Sequence, residues 1–329
     1  MNQINLKTIN TLGTGYSGSS AIYEFFQKTN LFYDPFPNSN FSLTYDPGGL
    51  MDLEKVISNT FTINNSKIAH DNFQDLIGYY SKKNQGTQTG KDLIKHNKEL
   101  GILLEQFLKS ITVLNYKGDS GYLTYKNNFL KKMKIKFLLK FSKLIKKKMS
   151  NQQEFFLLSD LNTFENEVKK LFFELFIKDN NQKQDIILDQ AGSIFAPKQS
   201  TKFFYNTFNI CVLRDPRDIY AELKRKGQGF PGYDLKVFCE WYLIIMKKIN
   251  QIKKTDERLI FINFEDFVLN RKSSLKKIFQ FIENEFENFD EVQFDFKRSE
   301  NNILIHKKEL SDSENKFIEN KLENHLFKF

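Results

Sequence analysis

Residues Gly13-Thr-Gly-Tyr-Ser-Gly-Ser-Ser20 have the form G-x-x-x-x-G-S-S and join a loosely alternating stretch, 5–12, to a helical pattern opening at Ala21. A glycine loop between a strand and a helix N-terminus points several backbone N–H groups at one spot, and the helix dipole adds positive potential there. Phosphate or sulfate binding is the chemistry such a loop suits. A loop built to hydrolyse a nucleoside triphosphate carries Lys where Ser19 stands, and the missing Lys counts against nucleotide hydrolysis. An ordinary Gly/Ser turn has the same composition, so the flanking strand and helix are what favour an anion site.

A second element, Val212-Leu-Arg-Asp-Pro-Arg-Asp-Ile-Tyr-Ala221, ends an apolar run. Arg214 leaves this strand where ligands sit in open α/β sheets, and Pro216 stands at a favoured helix start. A guanidinium fork there suits a phosphate monoester. The competing reading is a surface ion-pair network of Arg214, Asp215, Arg217 and Asp218, which is common and worth little.

The elements that must position these residues follow from hydrophobic period. Short apolar runs at 185–189, 208–213 and 258–264 each lead into a polar turn and a helical pattern, as buried parallel strands with crossover helices do. The spacing predicts helices over 217–226, 235–253 and 272–285 and a last one near 311–326. Residues 30–49 are aromatic and turn-rich and read as a surface loop. From about 50 to 183 the pattern is mainly helical, and a helical insertion is placed at 72–183 within one domain spanning 1–329. The expected class is α/β, with a short, mainly parallel sheet in three layers. No internal repeat and no long linker argues for two domains.

Taken together, the glycine-serine loop and the later Arg-Asp-Pro-Arg-Asp resemble the two phosphate-binding elements of sulfotransferases that use 3′-phosphoadenosine 5′-phosphosulfate (PAPS), a P-loop-like fold. The resemblance implies that Gly15 to Ser20 (Gly15, Tyr16, Ser17, Gly18, Ser19, Ser20) hold the 5′-phosphosulfate and that Arg214, with Arg217, holds the 3′-phosphate. Phe261-Ile-Asn-Phe-Glu-Asp-Phe-Val268 looks like the family's "YEDL" strand and helix. Phe294-Asp-Phe-Lys-Arg-Ser-Glu-Asn-Asn-Ile303 looks like the closing segment of bacterial members. The likeness spans residues 4–49 and 185 to about 305 and omits the helical middle.

The chain departs from the family's pattern twice. Tyr16 stands where cytosolic members have a Lys that stabilises charge on the transferring group, and Lys198, Arg217 and Lys224 are candidate replacements. Glu222 stands where the family tends to keep a phosphate-binding Ser, with Lys224 and Arg225 close by to compensate. Sulfuryl transfer needs positioning, neutralisation of the leaving phosphate and a general base for the acceptor hydroxyl. Asp189, at the end of the 185–189 strand and near the place of the family's catalytic His, is the first candidate base. Asp46 is the second. A capping role for Asp189 and a Pro-Gly turn at Asp46 are the structural alternatives.

Composition sets the remaining bounds. The 329 residues carry 49 Lys+Arg and 40 Asp+Glu, a formal +9, but nine Lys and no acid lie between Lys131 and Ser150, and the rest balances. A general nucleic-acid binder is therefore not expected. Within 131–150, Phe137, Leu138, Phe141, Leu144 and Ile145 recur at helical spacing. A basic amphipathic helix of this kind suits an anionic membrane surface or an acidic glycan, and a core-facing helix with a solvated Lys face has the same pattern. The N-terminus has no apolar signal core, no run is long enough to span a bilayer, and two Cys fit buried reduced thiols. The expected site is cytoplasmic or peripheral at the inner face of the membrane. Four His without ligand spacing predict no metal.

The sequence thus points to PAPS-dependent sulfuryl transfer to a hydroxyl or amine, on a sugar of a bacterial surface glycan, free or lipid-linked. A nucleotide-dependent kinase and a catalytically decayed scaffold on membrane or glycan remain as alternatives.

Overall fold

The computed structural model describes residues 6–81, 98–119, 152–227, 234–252 and 257–329, with Phe129, Leu130, Met133, Lys136, Phe137 and Lys140. It divides into two compact units, one from Met1–Thr44 and Phe173–Phe329, the other from Tyr45–Ile94 and Lys98–Phe172. The strands among the described residues are β1 (Thr8–Gly13), β2 (Phe32–Tyr33), β3 (Thr112–Asp119), β4 (Gln152–Leu158), β5 (Asp185–Asp189), β6 (Thr207–Leu213) and β7 (Leu259–Asn263).

The first unit is an α/β sheet of five strands in the order β2-β5-β1-β6-β7, with every pairing parallel. The inner strands β1 and β6 are buried along almost their whole length, which requires cover on both faces. Side-chain alternation divides them. Ile9, Phe208, Ile210 and Val212 meet Ile22, Phe25 and Phe26 of helix α1 (Ser19–Thr29) and Phe267, Ile278 and Phe279 of the helices Phe264–Leu269 and Arg271–Phe281. Leu12 and Cys211 face the other way, toward the helices Pro216–Arg225, Leu235–Ile252 and Asp312–Leu322. This is the three-layer arrangement that the apolar runs imply. β2 is the addition: two residues on the edge beside β5, too few to carry a period, within a stretch that reads as loop.

The second unit holds the helices Leu50–Ser58, Ile63–Ser81, Leu100–Ser110 and Leu161–Phe172. It also holds an antiparallel hairpin, β3 with β4, where the sequence pattern predicts helix. Ser66 pins the hairpin: its hydroxyl donates to the Phe156 carbonyl and accepts from the Leu158 amide, both at 2.8 Å. Of the basic stretch 131–150, Met133, Lys136, Phe137 and Lys140 are described and exposed. The amphipathic helix expected there otherwise lies outside the described residues. Among the described residues, no helix is long and apolar enough to cross a membrane.

Candidate functional site

The carboxyl ends of β5, β1 and β6 lie side by side. Thr11 is in register with Asp189, and Gly13 with Val212. Adjacent strands are about 4.8 Å apart, so the chain leaves the sheet at Asp189, at the glycine loop and at Arg214 within one small region.

The loop turns through three left-handed residues, Gly15 (φ 83°), Tyr16 (φ 54°) and Gly18 (φ 87°). Gly18 is required twice over. A side chain would be strained at this φ, and a Cβ would stand 2.3 Å from the Phe264 ring. Gly18 is also the N-cap of α1 and has no side chain to accept from the first-turn amides; its carbonyl takes the Ala21 amide (3.0 Å), and the Ser19 and Ser20 amides stand at the open end of the helix. Ser17 is 1% exposed and its hydroxyl has no partner. Buried polar groups are nearly always paired, so an orphan on an anion-type loop points to a ligand atom. Gln190 (φ 50°) braces the loop, its side chain accepting from the Gly13 amide (3.2 Å) and donating to the Ser19 hydroxyl. Sequence reasoning passes over Gln190; its position directly after Asp189 is the only cue.

Arg214 reaches the loop from the end of β6. The register that pairs Leu213 with Asn263 places Phe264 and Glu265 beside Arg214 and Asp215. The Arg214 guanidinium accordingly lies 5.1 Å from the Phe264 ring centroid, and the Asp215 amide donates to Glu265 Oε1 at 2.8 Å. Arg214 also donates to the carbonyls of Tyr16 (2.9 Å) and Asn302, so it joins the glycine loop to the closing segment. Its Nε is buried without a partner. Burial pulls the guanidinium pKa down from its ordinary value, against the attraction of Asp218, Glu265 and Glu222. Asp218 is fully buried, accepts from the amides of Leu304 (2.8 Å) and His306 (3.0 Å), and contacts His306 Nδ1 at 2.5 Å. Burial opposes its charge, but the His306 bonds and Arg214 hold the carboxyl below its usual range.

Of the other basic candidates, Arg217, Lys224 and Arg225 are engaged elsewhere. Arg217 forks onto Asp215 (3.0 and 2.8 Å) and reaches Glu319 (2.8 Å), which is the ion-pair arrangement rather than an open fork. Glu222 is answered by Arg225 at 2.8 and 2.6 Å, and Lys224 by Glu314. Lys198 is exposed on the short helix Pro197–Thr201. The Tyr16 ring packs against the core around Leu12 and Cys211, where burial and Glu222 push its phenol pKa up. What Tyr16 gives the site is backbone.

Asp189 is 6% exposed. Its carboxylate accepts from the Thr11 hydroxyl at 2.9 Å and, at a long 3.5 Å, from the Ser20 hydroxyl on the loop. Burial pushes its pKa up to about 6, with the hydrogen bonds from Thr11 and Ser20 working against the shift. Asp46 belongs to the second unit. There it opens a Pro-Gly turn, with the Gly49 amide on the Asp46 carbonyl (2.7 Å) and Gly48 at φ 84°, and its carboxylate accepts from Tyr80 at 2.6 Å. It lines a cavity of about 580 Å³ with Asp52, Asn72, Asp75 and Tyr79. The described residues contain no cluster of metal-ligating side chains.

No protein-family model and no curated protein matches the chain. Several solved structures are similar to it. Among them are the sulfotransferase domain of the Synechococcus PCC 7002 olefin synthase (10% identity, 86% of this chain and 75% of that one, TM-score 0.41), sulfotransferase STF9 from Mycobacterium avium (10%, 96% and 75%, 0.38), and the sulfotransferase domain of the curacin biosynthetic pathway (12%, 97% and 97%, 0.43).

Proposed function

We propose that the chain transfers a sulfuryl group from PAPS to a hydroxyl or amine of an acceptor, a sugar of a bacterial surface glycan. The observation that supports the donor half is the pair of buried, unpartnered groups, Ser17 Oγ on the glycine loop and Arg214 Nε on the arginine bonded to that loop, at the carboxyl edge of a parallel sheet. In this reading the acceptor oxygen attacks sulfur, its proton passes to Asp189, and the bond from sulfur to the phosphate oxygen breaks. The leaving bisphosphate keeps the electron pair, and the loop amides and Arg214 offset its charge. Asp189 is ionised at neutral pH with its pKa near 6, as a general base must be.

Calorimetry with 3′-phosphoadenosine 5′-phosphate against ATP with Mg²⁺ tests the donor. Tight binding of the bisphosphate is expected; preference for ATP would favour a kinase, and binding of neither a scaffold. Ser17→Ala sharpens the test. Loss of an unpaired buried hydroxyl leaves the free protein as stable as before, whereas a hydrogen bond to a charged ligand is worth about 1.5 kcal/mol, roughly tenfold in affinity. Equal affinities for the two proteins would remove Ser17 from the site. Contact with an anionic membrane through 131–150 belongs to the same proposal. Lys134→Glu, Lys136→Glu, Lys140→Glu and Lys143→Glu in one protein should end flotation with anionic vesicles, and unchanged flotation would exclude the segment.

A further inference from the structure

Glu265 is fully buried, and only one of its two carboxylate oxygens has work. Oε1 accepts the Asp215 amide at 2.8 Å; Oε2 has no partner. The residue before it, Phe264, is held between Gly18 of the loop and the Arg214 guanidinium. The Phe264-Glu265 pair therefore sets both the spacing of loop and arginine and the turn from which Arg214 projects. A carboxylate with an idle oxygen beside an arginine meant for an anion is an expensive arrangement to bury, because the acid and the incoming anion compete for one cation. It becomes favourable if the acid can give up its charge when the anion arrives.

We propose that Glu265 is the positioning residue of the anion site and that it takes up a proton when a phosphate-bearing ligand binds at Arg214. The inference rests on the donor-site reading above. The groups facing Glu265 are Asp215 on the adjoining turn, Arg214 at the end of β6 and Tyr242 from the helix Leu235–Ile252. Arg214 in turn is faced by Asp218, Glu222 and Arg225. Burial pushes the Glu265 pKa up to about 7, Asp215 adds to the rise, and Arg214 opposes it. An anion that offsets the Arg214 charge raises it again, so near pH 7 ligand binding draws a proton in. The same shift has a consequence without ligand. Glu265 favours the fold while protonated, and that contribution is lost as pH climbs from about 4.5 to about 7.

The test measures affinity for 3′-phosphoadenosine 5′-phosphate at pH 6.0 and 8.0 in the wild type, Glu265→Gln and Glu265→Ala. Glutamine keeps the acceptor for the Asp215 amide and cannot ionise. The ratio of wild-type to Glu265→Gln affinity is expected to fall about fivefold from pH 6.0 to 8.0, which is what a one-unit linked rise from about 7 gives across that window. Glu265→Ala, which drops the turn, should bind weakly at both values. Thermal unfolding without ligand should show a decline in wild-type stability between pH 5 and 7.5 that is reduced in Glu265→Gln. Identical pH profiles in the wild type and Glu265→Gln would overturn the Glu265 proposal and leave the donor site standing. No bisphosphate binding by the wild type at either pH would overturn both.

Discussion

Arg214→Ala should lose 3′-phosphoadenosine 5′-phosphate binding by at least roughly 100-fold, about 3 kcal/mol, the cost of truncating one partner of a desolvated charge pair. Arg214→Lys should recover part of it, since a point charge replaces the fork. The fold should survive either change. Arg214 is a buried cation, and its removal cancels a desolvation cost that already depresses its pKa. Its acidic neighbours keep other partners: Asp218 holds His306 and two amides, and Glu222 holds Arg225. The closing segment stays tied to the Pro216–Arg225 helix by Asp218, so the loss of the Asn302 contact is local. Calorimetry gives the affinity and circular dichroism the integrity of the fold. Affinity within threefold of wild type would take Arg214 out of the site.

What was legible in the sequence was what local period encodes. β5 and β6 are apolar runs ended by charged residues, and the structure places them within a residue of the predicted bounds because burial on both faces leaves little choice of composition. The glycine loop was legible because left-handed turns constrain residue type at Gly15 and Gly18. The β3–β4 hairpin was not. Its strands are separated by more than thirty residues, and Phe155 and Leu158 stand at the i, i+3 spacing of one helix face, whereas a strand puts them on opposite faces. Within the site, the commitment of Arg217 to Asp215 and Glu319 and the inward turn of Tyr16 depend on which elements pack together, not on neighbours in sequence. Glu265 illustrates the limit. In the sequence Phe264 closes the 258–264 run and Glu265-Asp266 read as the polar turn after it, and only the pairing of Leu213 with Asn263 brings the Glu265 carboxylate under the amide that follows Arg214.

Asp189→Asn tests the chemistry rather than the binding. The substitution is isosteric and keeps an acceptor for Thr11, so bisphosphate affinity should stay within a few-fold of wild type, while kcat with an acceptor falls about a thousandfold, the middle of the range for a lost general base. The pH profile carries the sharper signature. Burial lifts the Asp189 pKa to about 6, so the fraction in the basic form, and with it kcat/KM, should fall tenfold per unit as pH drops below that value. Asp189→Asn should lack this limb. The stability linkage runs the other way: a carboxyl whose folded pKa lies above its ordinary 3.8 favours the fold when protonated, so the wild type loses that contribution between about pH 4 and 6 and Asp189→Asn does not. A gain in stability at pH 7 together with a loss of rate is what separates a base held against its solvation preference from a capping residue, whose removal costs stability and leaves the rate alone. An asparagine variant that is less stable at pH 7 and fully active would make Asp189 a structural group and leave the acceptor proton to be taken by another residue.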